Sequence, residues 1–190
     1  MNDKKIQILA SAVRLFTQEG LSVPTAKIAK GAKVSNGTLF NYFATKQDLI
    51  DGVYLYIKER MSHAIMGEIR FDSGIKHMLL DIWMAYISWA QAHPLEHQVV
   101  DLLYSSQMLS EDIKETGEHF FIAIHDVVQK EIDNKTLIDA PRQYLCDIAV
   151  AHLQATMLYA QNNNLKGSAL SELTHKSFEI YWNGIKQTKP

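Results

Sequence analysis

Cysteine is nearly absent from this chain. Cys146 stands alone among 190 residues, so no disulfide can form within it. The expected role of such a residue is a small buried side chain, not a catalytic thiol. Long apolar runs are absent too. None approaches the roughly 18 residues that would make a membrane-spanning helix. The N-terminus, Met1-Asn2-Asp3-Lys4-Lys5-Ile6, has no apolar signal region, so a cytoplasmic location is expected. There is no glycine-rich linker, low-complexity tract or internal repeat. There is no glycine-rich phosphate loop and no G-x-S-x-G elbow, which leaves an enzyme without its usual equipment. Strand-type alternation is also poor. With 47% hydrophobic and 21% charged residues, what remains is an ordinary globular composition with helical periods nearly everywhere.

Over the whole chain, excess charge is absent as well, since the net charge is −2. Divided along the chain it is not. Residues 1–46 hold seven cations (Lys4, Lys5, Arg14, Lys27, Lys30, Lys33, Lys46) against Asp3 and Glu19, which is +5 and leaves −7 for the rest. A basic module that meets a polyanion, followed by an acidic one that does not, fits that asymmetry.

The apolar spacing predicts an all-α fold of about nine helices. Ile6, Leu9, Ala10, Val13 and Phe16 give a first helix that Gly20 ends. Thr25 is expected to cap a short second helix with Ile28, Ala29 and Ala32 inward. Ser35 should cap a short third helix. Thr45 with Asp48 should form a capping box for a fourth, over residues 45–70. Further helices are expected from Ser73 to His93, from Pro94, from Ser110 to Asp133, from Pro141 to Asn162, and from Ser168 to Lys186. Residues 1–46 are read as the DNA-binding domain. Residue 47 onward is read as a ligand-binding and dimerisation domain, with the fourth helix connecting the two.

Residues 25–46 read TAKIAKGAKVSNGTLFNYFATK. Two helices this short are marginal alone and need support from their neighbours. Leu39 and Phe43, four apart, would anchor the third helix. Asn36, Gly37, Thr38, Asn41 and Tyr42 would then face outward, uncharged but rich in donors and acceptors. Thr25 and Lys46 would stand at helix N-termini, where an anion is favoured. Such anchors fix register while Asn36, Thr38 and Asn41 meet base edges. From the residues alone, this face is either a nucleic-acid element or a solvated helix face.

The string IAKGAKVSNGTLFNYFATKQDLI closely resembles the signature of the TetR family of transcriptional regulators, over about residues 5–60. The resemblance implies a helix-turn-helix domain and roles residue by residue. Thr25 and Lys46 match phosphate-contacting positions. Ser35, Asn36, Gly37, Thr38, Asn41 and Tyr42 match recognition-helix positions, Phe40 a usually aromatic one, and Leu39 and Phe43 core ones. Lys33 departs from the pattern, standing where glycine is commoner and adding charge to the turn. Asn41 stands where an aromatic or basic residue is frequent, so no base preference carries over. The implied partners are a pseudo-palindromic duplex operator, a small-molecule effector and a second copy of the chain. No cofactor and no metal are implied.

Beyond residue 70 the composition turns aromatic. The stretch IKHMLLDIWMAYISWAQAH is apolar on nearly all sides, as a central helix is. Core packing is one reading. The other is a small-molecule pocket lined by Tyr54, Ile65, Trp83, Met84, Tyr86 and Tyr159, with Asp81, Glu118, Asp126 or Asp147 pairing a cationic ligand. The segments YLYIKERM and DIWMAYISWAQAHP are similar to the multidrug-responsive, RamR-type repressors that control efflux genes. The broad apolar faces of the last two helices are read as a homodimer seam. The expected function is a repressor released by a small aromatic or cationic ligand. A DNA-binding regulator without such a ligand is the alternative, and a helical metal-dependent hydrolase the remote one. The last would use His93, Glu96 and His97 in an H-x-x-E-H pattern. Pro94 in the first turn would make His93 a cap residue, not one of two ligands on a helix face.

Overall fold

The computed structural model describes residues 3–188. Among them the only regular elements are helices, beside one isolated antiparallel bridge between Leu137 and Lys186. The helices are α1 (Asp3–Glu19), α2 (Thr25–Gly31), α3 (Asn36–Tyr42), α4 (Lys46–Met66) and α5 (Ile75–Ala92). They continue with α6 (Pro94–Ser106), α7 (Glu111–His119), α8 (Ile122–Asp133), α9 (Arg142–Asn162) and α10 (Gly167–Ile185).

The all-α expectation holds, with ten helices instead of nine. The extra one arises because the segment from Ser110 to Asp133 is broken. Ser110 does cap α7, accepting from the Ile113 amide at 3.4 Å. At Phe121 the backbone leaves helical geometry (φ −112°, ψ 15°) while its ring is buried, and α8 starts afresh behind it. Two adjacent phenylalanines show no helical period, so the pattern gave no warning of the break.

The described residues form two compact units. One comprises the chain through Met61 together with His93–Phe120; the other comprises Ser62–Ala92 and the chain from Phe121 onward. In the first unit α1 packs on α2, α3 and α6. Ile8, Leu9, Ala12 and Phe16 are its buried stripe, and Ala10, expected inside, is exposed instead. The buried Ser11 hydroxyl donates to the Ile28 carbonyl at 2.9 Å and ties α1 to α2. Leu49, Ile50, Val53, Tyr54 and Ile57 bury the inner face of α4. Pro94 starts α6 with His93 as its cap residue, as expected.

In the second unit α5, α8, α9 and α10 pack together. Its centre is Trp83, stacked on Tyr181 with ring centroids 4.8 Å apart and edge-on to Phe178 and His152. The indole N–H donates to the Ser177 hydroxyl at 3.2 Å, and Ser177 shares a 2.6 Å hydrogen bond with Thr156. The Trp83 indole and the Ser177 and Thr156 hydroxyls therefore each have a partner, which removes most of the cost of enclosing them.

Candidate nucleic-acid interface

Helix α3 has seven residues and borrows its stability from its anchors. Leu39 is fully buried and Phe43 nearly so. Gly52 of α4 makes the seat for Phe43, since a Cβ there would stand 2.6 Å from the Phe43 ring. At the start of α3 the Ser35 hydroxyl accepts from the Thr38 amide at 3.0 Å and shares a 2.9 Å hydrogen bond with the Thr38 hydroxyl. At the start of α4 the box closes as expected. The Thr45 amide donates to Asp48 Oδ2 at 2.9 Å, and the Asp48 amide donates to Thr45 Oγ1 at 3.0 Å. One cap differs from expectation. Pro24 holds the cap position of α2, and Thr25 is the first residue inside the helix. Proline fixes the extended entry here, so the Thr25 side chain makes no cap.

With the anchors buried, Asn36, Gly37, Phe40 and Asn41 are exposed, and Thr38 and Tyr42 are half-exposed. Asn41 stands two residues from each anchor, about 200° around the helix from both. It therefore lies at the centre of the outward face. Lys33 is exposed in the preceding turn with φ +57°, the left-handed geometry that glycine usually fills. Lys46 opens α4 on the other side. Of the seven cations in the basic segment, Lys27 is engaged with Glu19 at 2.6 Å, a neutralisation already contained in the net +5. Lys5 lies 5.7 Å above the Phe43 ring.

Of the residues expected to line a ligand pocket, Tyr54 belongs to the first unit. Ile65, Trp83, Met84, Tyr86 and Tyr159 belong to the second. Trp83 is closed within its aromatic cluster, Ile65 and Tyr86 are buried, Met84 is half-buried, and Tyr159 is 56% exposed. Two of the four candidate acids are already paired. Asp81 takes a two-pronged bond from Arg70, which holds its carboxyl below the usual range. Glu118 takes Lys58 Nζ at 2.7 Å. Asp126 and Asp147 are exposed.

The Lys58–Glu118 pair is a cluster that sequence reasoning missed. Tyr104 donates to Glu118 at 3.3 Å, and the Tyr54 and Tyr104 hydroxyls are 3.2 Å apart. Burial pushes the Tyr54 phenol up to about 12 and the Tyr104 phenol further still, so both act as neutral donors. The partners are 60 residues apart, and no local spacing announces them. In the H-x-x-E-H segment, Glu96 and His97 have other partners. Glu96 takes Arg60 Nε at 3.2 Å, and His97 Nδ1 lies 3.5 Å from Asp101. Among the described residues no three His, Cys, Asp or Glu side chains gather as a ligand set.

Comparison with known proteins agrees with this geometry. Residues 8–53 match the bacterial regulatory proteins of the tetR family, over that family's N-terminal domain. The chain is 32% identical over 85 residues to the HTH-type transcriptional regulator LuxR of Vibrio harveyi, covering 44% of this chain and 42% of that protein. It is 25% identical over 133 residues to the HTH-type transcriptional regulator YhgD of Bacillus subtilis, covering 67% and 61%. The chain thus spans about half the length of the curated relatives it matches. A crystal structure from a Shewanella species, described as a tetR family transcription regulator, superposes with a TM-score of 0.90 at 25% identity. That match covers 96% of this chain and 98% of the other. The chain thus carries an N-terminal segment that matches the tetR family, and its fold over nearly its whole length is similar to that of a solved tetR-family protein.

Proposed function

We propose that this chain binds duplex DNA sequence-specifically as a two-fold dimer and represses transcription until a small molecule releases it. The observation that carries the DNA half is the outward face of α3. It is uncharged, hydrogen-bonding and rigidly anchored by Leu39 and Phe43, with Lys33 and Lys46 on either side. Lysines at the margin neutralise phosphates and fix register, while the amides between them discriminate bases. Thr25, at the first position of α2, offers a further hydroxyl to the phosphate backbone.

The dimer half is supported by α9 and α10. Tyr144 and Leu158 on α9 and Ile180 on α10 are each more than half exposed, too much apolar surface for two helices to leave in water. A two-fold axis there would present two copies of α3 to a pseudo-palindrome. The release half is supported by the aromatic content of α5 alone. A ligand can lift repression only if it binds the DNA-incompetent state more tightly. Control of efflux genes is the finest part of the proposal and rests on the likeness to RamR-type sequences. A second reading, a DNA-binding regulator with no small ligand, is favoured by the closed packing of Trp83. The discriminating experiment is a mobility shift on DNA flanking its own gene, with and without planar aromatic cations. Retardation that such compounds abolish supports ligand release. Retardation that no compound changes favours the second reading. No retardation on any duplex overturns both.

A further inference from the structure

The four bases make different demands on a helix in the major groove. Guanine shows two acceptors and suits arginine or lysine. Cytosine shows a donor and suits a carboxylate. Adenine shows an acceptor beside a donor and suits the carboxamide of asparagine or glutamine. Thymine adds a methyl group that suits an apolar contact. Helix α3, with the sequence NGTLFNY, carries no arginine, lysine, aspartate or glutamate. The nearest acid, Asp48, is held by the Thr45 amide. The cations nearest along the sequence, Lys33 and Lys46, lie beyond the two ends of α3.

What α3 does carry matches the other two bases. Asn41 is at the centre of the exposed face. At Gly37, one turn before it, an added Cβ would meet only the Ser35 Oγ, at an ordinary 3.9 Å, so packing does not demand a glycine there. Its smallness serves approach to something outside. Phe40, on the flank, leaves 41% of its surface exposed, an unusual place for a phenylalanine with nothing apolar to meet. Thr38 and Ser35 bond each other through their hydroxyls. They are therefore less available as polar readers, and Thr38 keeps its methyl as the unspent group.

We propose that α3 reads an A·T-rich half-site. Asn41 takes an adenine through its N6 and N7 edge, and Phe40 with the Thr38 methyl takes thymine methyl groups. This rests on the duplex-binding reading above and names the bases that it leaves open. The test is selection of bound duplexes from a randomised pool by the full chain at fixed salt. It is followed by titration of the selected site with uracil in place of thymine, and by repeating the selection with Asn41→Ala. The expected result is A·T enrichment at the positions under α3, about tenfold discrimination at the Asn41 position that Asn41→Ala erases, and severalfold weaker binding to the uracil duplex. Selected sites with G·C pairs under α3 would overturn the assignment and leave duplex binding standing. So would an adenine preference unchanged in Asn41→Ala, or uracil bound as tightly as thymine. A pool from which nothing is retained would overturn duplex binding itself, and this assignment with it.

Discussion

In the first compact unit, α3 holds amides and a phenyl ring out to solvent, and a lysine, Lys58, is buried against Glu118. In the second, the hydrogen-bonded centre is neutral, Ser177 and Thr156 beneath the Trp83 indole, and the surface of α9 and α10 carries Tyr144, Leu158 and Ile180. The same chain thus exposes polar groups in one place and bulky apolar ones in another. On the proposed function, a hydrated polyanion would be met with groups that replace its water hydrogen bonds, and a second copy by surface that gains from leaving water. The buried interiors differ in the opposite sense, charged in one unit and neutral in the other.

Trp83→Ala sharpens that contrast most. As the stacked centre of a filled core it should cost about 4 kcal/mol in denaturant unfolding. A cost below about 1 kcal/mol would mean that Trp83 lines an open pocket instead. Glu118→Ala should cost about 3 kcal/mol, because it strips a nearly buried ammonium of its 2.7 Å carboxylate. The pair Lys58→Met with Glu118→Leu should cost far less, since it removes both charges together. If the two variants unfold at equal denaturant, the pair is not a buried charge problem.

How much was legible in the sequence follows from distance along the chain. The Ser35 cap, the Leu39–Phe43 anchors and the Thr45–Asp48 box each span three or four residues, and all three stand as read. The Trp83–Tyr181 stack joins residues 98 apart, and Lys58–Glu118 joins residues 60 apart. Neither has a local spacing to betray it. Composition alone could not say whether the aromatic side chains of α5 enclose a cavity or fill it. Local reading also erred where proline outweighed a hydroxyl, as at Pro24 and Thr25.

Acid should weaken the fold through histidine in both units. Burial holds the His97 imidazole below its ordinary value of 6.5, a larger effect than the opposing pull of Asp101, and burial lowers His152 likewise. Both are depressed, so their contribution is present above pH 6.5. It is lost as pH falls through that value, where the unfolded chain takes up protons that the folded chain refuses. The thermal midpoint should therefore drop between pH 7.5 and about 5.5, and less steeply in His97→Gln. An equal drop in that variant would assign the effect elsewhere.

The smallest expected effect is at Lys33. Lys33→Gly relieves a left-handed backbone and should raise stability by up to about 1 kcal/mol. The same change should reduce the slope of log affinity against log salt by about one. A more stable protein with an unchanged slope would remove Lys33 from the phosphate contacts.

The most direct test sets Lys46→Ala against Asn41→Ala on two duplexes, one selected and one scrambled, across a salt series. The predicted result is a division of labour. Lys46→Ala weakens binding to both duplexes alike and lowers the salt slope by about one. Asn41→Ala leaves the slope unchanged and brings the selected duplex down towards the scrambled one. Equal losses on both duplexes from both variants would contradict α3 as the element that reads sequence.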